Sequence, residues 1–209
     1  MLREPAAHVL SMFNHCEHGS LKSTSRHGYS RAPRLDAWLD LFARGVDDAQ
    51  WRNISQSVCE FFPTNLQAAT LYALDGRARD RGWAAARAAG PKGALAHGLA
   101  ALADAASVGV TRWMDASLCL AHYALHGALP RDADLCDCRS RAAAVAPITH
   151  GVDRAAAAAE ALTPRALAAI ARLTRVDAVL YAAALRRVVA DAARVEAATG
   201  VPLLCDADF

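Results

Sequence analysis

This 209-residue chain lacks an excess of either charge: 23 Lys and Arg stand against 21 Asp and Glu, for a formal net charge of +2. That balance argues neither for nor against a nucleic-acid partner by bulk attraction; no nucleic-acid polymer is expected among the partners. Long apolar runs are also missing. The alanine-rich region 155–173 is interrupted by Glu160, Thr163, Pro164 and Arg165, so no membrane span is expected. Residues 1–20 hold mixed charges and no continuous apolar stretch, which is not the pattern of a signal peptide. His15, Cys16, His18, Cys136 and Cys138 fit the spacing of no zinc ribbon or finger, so no metal is expected.

What is present argues for a folded chain. Hydrophobic residues make up 54 % and charged residues 21 %. That composition suits a globular protein with a sizeable core, read as a single domain over 1–209. Arg outnumbers Lys and alanine tracts abound, so alanine-rich helices carry little functional meaning here.

The first sixteen residues organise the reading. Leu2 reads as the end of a buried strand, and Pro5 suits the first turn of a helix. Val9, Met12, Phe13 and Cys16 then fall on one helical face. Arg3 precedes that helix and Ser11 lies on it. A guanidinium, a hydroxyl and the N–H groups of a helix start are suited to holding an anion.

Downstream, Leu35, Trp38, Leu39 and Phe42 form a helix stripe that stops at Gly45, and Trp51, Ile54 and Val58 mark another helix opened by Asp47 and Asp48. Residues 17–33 read as a basic loop. A short helix or turn is expected over 65–74. Residues 77–92 read as an exposed basic helix, broken at Pro91-Lys92-Gly93. Leu95, Leu99 and Leu102 share a face. Ser107–Thr111 is the best internal strand, with Thr111 as cap of the next helix. Met114, Leu118, Ala121 and Leu125 are expected to form that helix's core face. Residues 131–153 read as a loop. Thr163-Pro164 is a cap and first-turn proline, and Thr174-Arg-Val-Asp177 is a capping box opening a long last helix with Val176, Leu180 and Ala183 inward.

The six cysteines leave disulfide pairing open. Cys136 and Cys138 are too close for an easy mutual bond, so each is expected to pair elsewhere. Cys119, between Leu118 and Leu120, reads as a buried small apolar side chain.

Arg3-Glu4-Pro5, His8 and Ser11 together resemble the 3′-phosphate-binding motif of PAPS-dependent sulfotransferases. Asn65-Leu66-Gln67, Val108-Gly-Val-Thr111 with Met114-Asp-Ala-Ser-Leu118, and Val176-Asp177 with Leu180-Tyr181 and Ala184 are similar to later segments of the Golgi-type carbohydrate sulfotransferases, in the same order. His8 stands where that motif has a second Arg, Ala68 and Ala69 where the family has Thr/Ser and Arg, and Arg112 where it has Glu.

The resemblance implies an α/β, helix-dominated fold: a truncated P-loop-like sulfotransferase with a small parallel sheet flanked by helices. It implies PAPS as donor, its product PAP as a ligand, and a glycan or other hydroxyl acceptor in the Golgi lumen. Arg3 and Ser11 are then the cofactor-binding residues. The family's glycine-rich 5′-phosphosulfate loop and its catalytic base lie upstream of the 3′ motif. The chain is therefore expected to be the C-terminal portion, with no catalytic residue assigned and no sulfuryl transfer on its own. The alternative expectation is a non-catalytic, alanine-rich helical interaction domain.

Overall fold

The computed structural model describes residues 1–18, 35–44, 63–73, 79–141 and 162–205. Its helices in chain order are α1 (Pro5–His18), α2 (Leu35–Ala43), α3 (Leu66–Ala73), α4 (Arg79–Asp104), α5 (Met114–His126), the single-turn α6 (Cys138–Arg141), α7 (Pro164–Leu173) and α8 (Arg175–Thr199). The chain divides into two compact units. One comprises Met1–Glu4, Gln67–Pro147 and Val176–Phe209; the other comprises Pro5–Leu66 and Ile148–Arg175. The basic loop 17–33, the expected helix at 47–58 and the stop at Gly45 lie outside the described residues.

The second unit is built as its periodicity predicts. Val9, Met12 and Phe13 of α1 and Leu35, Trp38, Leu39 and Phe42 of α2 are buried. The Phe13 and Trp38 rings lie 5.6 Å apart, and Phe42 meets Trp38 edge-on at 5.3 Å. Helix α7 packs against both α1 and α2. The Thr163 hydroxyl accepts from Ala166 N at 3.0 Å with Pro164 at the first helical position, as predicted.

The first unit centres on α8, which buries Val176, Leu180, Ala184, Val188, Ala192 and Val195. Helix α4 contains the expected break: Gly90 takes φ +65° immediately before Pro91. Cys136 and Cys138 do pair elsewhere, in Cys119–Cys136 and Cys138–Cys205. Cys119 is buried but bonded, so reading it as a plain apolar side chain is corrected.

The parallel sheet is overturned. Among the described residues there is no strand or sheet, only one isolated parallel bridge between Leu2 and Val110. Both segments are too short to extend it: α1 begins at Pro5, and a 3-10 turn begins at Thr111. Helices dominate instead.

Three local expectations also change. Helix α5 buries Ala116, Ser117, Cys119 and Leu120, while Met114, Leu118 and Leu125 are exposed at 42 %, 55 % and 75 %. Period alone could not choose between two faces of an alanine-rich helix that both carry apolar residues. Thr111 enters the 3-10 turn, so no side chain caps α5. The Thr174 hydroxyl donates back to Ile170 O at 2.9 Å instead of capping α8.

Candidate functional site

The first unit brings together four distant segments around Arg3. Leu2 N donates to Gly109 O and Thr111 N donates to Leu2 O, both at 2.8 Å. In extended backbone the next residue points its polar groups the other way, so Arg3 needs a partner on the opposite side. The Gln67 carboxamide supplies it. Arg3 N donates to Gln67 Oε1 at 2.6 Å, and Gln67 Nε2 donates to Arg3 O at 2.8 Å. A primary amide carries the same acceptor and donor as a peptide, so one side chain stands in for a neighbouring strand.

Val110 is handled alike on its far side. Its N–H donates to Ser117 Oγ at 2.9 Å, and Ser117 Oγ donates to Val110 O at 3.1 Å. Gly109 permits the approach: a Cβ there would lie 2.8 Å from Ser117 Cβ.

Gln67 is itself anchored. Its N–H donates to Asp177 Oδ2 at 3.1 Å, and Ala68 N donates to Asp177 Oδ1 at 2.8 Å. Asp177, on the buried face of α8, thereby satisfies the start of α3. Asp177 is a helix cap, as its sequence suggests, but of α3 rather than of its own helix. It is 2 % exposed. Burial pushes its pKa up to about 6, against the lowering pull of the Ala68 and Gln67 amides. With both oxygens taken by backbone amides, Asp177 is a poor proton-transfer group.

The two predicted ligands are accounted for separately. Arg3 is half-buried in the first unit, and its guanidinium has no hydrogen-bond or ion-pair partner among the described residues. Ser11 is half-buried on α1 in the second unit. The Tyr181 hydroxyl, one turn after Asp177, is buried with no hydrogen-bond partner among the described residues. Burial raises its pKa, Arg112 lowers it and Glu4 raises it.

Ser117 carries no mark in the sequence beyond its place in a resembling segment. Gln67 and Asp177 lie in resembling segments, and nothing in the sequence signals the contact between them. The signal for Asp177 is its neighbours: Val176 and Leu180 put it on an apolar helix face. No cluster of three or more His, Cys, Asp or Glu able to hold a metal occurs among the described residues. No helix among them is long and apolar enough to cross a membrane. Comparison with family models, curated proteins and solved structures returns no match.

Proposed function

We propose that this chain is a carbohydrate-sulfotransferase-like domain that binds PAPS or PAP, with Arg3 as a ligand for the 3′-phosphate. One observation carries the reading. The segments that resemble the family one by one, Arg3-Glu4-Pro5, Asn65-Leu66-Gln67, Val108–Thr111 and Asp177, are drawn to one another through the Leu2, Gln67 and Asp177 hydrogen bonds. Arg3 and Asp177 stand 174 positions apart, so their segments meet through the fold and not through proximity in sequence. The disulfides Cys119–Cys136 and Cys138–Cys205 suit the oxidising lumen of the Golgi, where the acceptor would be a glycan hydroxyl.

Calorimetric titration with PAP tests the reading. The protein is expected to bind PAP more tightly than 5′-AMP, and Arg3→Ala to weaken PAP by about 1.5–3 kcal/mol, the range for a charged hydrogen bond. Equal affinity for the two nucleotides, or an Arg3→Ala variant that binds PAP as wild type does, removes the assignment. The helical interaction domain is the second reading, favoured by the exposed Met114, Leu118 and Leu125 on α5. A protein that ignores both nucleotides would leave it standing.

A further inference from the structure

Arg3 occupies an unusual position for a residue asked to hold an anion. In a sheet, its backbone would be fixed by strands on both sides. Here Leu2 alone has a backbone neighbour, and Arg3 N and O have no backbone partner among the described residues. Their partner is the Gln67 carboxamide, at 2.6 and 2.8 Å. Both bonds fall on one residue, so together they fix the peptide planes on either side of the Arg3 Cα. They set the point and direction from which the Arg3 side chain leaves the backbone.

Gln67 is in turn not free to drift. It is 7 % exposed, and its own N–H is tied to Asp177 on α8. The next amide, Ala68 N, is tied to the same carboxylate, and Ala68 is fully buried. The chain of contact runs from the core helix α8, through the first turn of α3, to the backbone of Arg3. Ligand groups hold their geometry only when a supporting set of contacts locks them, and a displacement of about 1 Å is costly.

We propose that Gln67 is a positioning residue for the nucleotide 3′-phosphate: its carboxamide presets the Arg3 backbone so that the guanidinium meets the phosphate without rearrangement. The proposal rests on the nucleotide-binding reading above. Gln67 touches no nucleotide atom in it and acts only through Arg3.

The test measures the affinity ratio of PAP to 5′-AMP, which isolates the 3′-phosphate, in the full chain with its disulfides intact. Gln67→Met keeps the volume and removes both bonds. Gln67→Glu keeps the acceptor for Arg3 N and removes the donor to Arg3 O, in case the first variant does not fold. Circular dichroism and thermal unfolding confirm that each variant is folded. In either folded variant the ratio is expected to fall roughly tenfold, part of what a charged hydrogen bond contributes, while 5′-AMP affinity stays unchanged. In an Arg3→Ala background the same Gln67 substitution is expected to leave the ratio where it is, since the residue through which it acts is gone.

A purely structural role would weaken both nucleotides alike, and that result overturns the proposal. So does a folded Gln67 variant that keeps the wild-type ratio, or one that lowers the ratio by the same factor with and without Arg3. A wild type that does not prefer PAP overturns the proposed function itself. A preference present in wild type and untouched by Gln67 overturns only this inference.

Discussion

Asp177 and Ala68 lie 109 positions apart and are joined by a 2.8 Å hydrogen bond from the Ala68 amide to Oδ1. A carboxylate this deeply buried holds its proton to about pH 6, against an ordinary 3.8. The folded protein thus binds the proton more tightly than the unfolded chain, and stability rises as the pH falls from about 6 toward 4. Asp177→Asn removes that slope. The stability advantage of wild type over the variant is expected to grow by about 2–3 kcal/mol between pH 7 and pH 4. Urea unfolding at the two pH values checks it, and a gap that shrinks in acid contradicts the assignment.

Ser117→Ala removes one hydroxyl and strands one amide. Val110 is fully buried, and its N–H has Ser117 Oγ as partner; its carbonyl keeps a second bond, from Trp113 N at 3.2 Å. The loss is expected to be about 1–3 kcal/mol, the cost of a buried unpaired donor. A variant as stable as wild type in chemical denaturation would show that another acceptor reaches Val110.

The two disulfides among the described residues differ in the length of chain they close. Cys119–Cys136 spans 17 positions and Cys138–Cys205 spans 67. Restricting the unfolded chain gives about 3 kcal/mol for the first and about 4 kcal/mol for the second. Paired Cys→Ala replacements should follow that order in their denaturation midpoints. The second bond also secures a tail already held by Cys138 N donating to Pro202 O and by Leu203 N and Leu204 N donating to Glu196 Oε1.

In the second unit, two exposed features should differ in weight. Thr163 caps α7, and Thr163→Ala is expected to cost about 1 kcal/mol. Arg165 pairs with Asp40 at 2.5 Å, but its side chain is 73 % exposed, so Arg165→Ala should cost less than the cap. Thermal unfolding of the two variants ranks them; the reverse order would mean that the ion pair is better shielded than its exposure suggests.

The sequence discloses helices far better than it discloses pairing. Leu35, Trp38, Leu39 and Phe42 repeat at helical spacing, and the structure buries all four. Thr163-Pro164 announces a helix start chemically, and one occurs there. Val108–Thr111 is short and β-branched, which marks extended backbone but not how many neighbours it finds. Only one residue pairs, because a turn begins directly after it. On α5, Met114, Leu118 and Leu125 and the row Ala116, Cys119 and Leu120 each keep helical period. What decides between them is Ser117 reaching Val110 and Cys119 reaching Cys136, and both depend on remote partners. For the same reason Arg3 stands out in the sequence by its motif, whereas its pairing with the Gln67 carboxamide needs coordinates.

An unfinished edge of extended chain normally invites another molecule to add a strand to it, the first step toward fibrils and precipitates. The Gln67 amide and the Ser117 hydroxyl cover the outward polar groups of Arg3 and Val110, so this short pairing offers no template for recruitment. Replacing either side chain would thus reopen a seam to self-association as well as loosen a local contact.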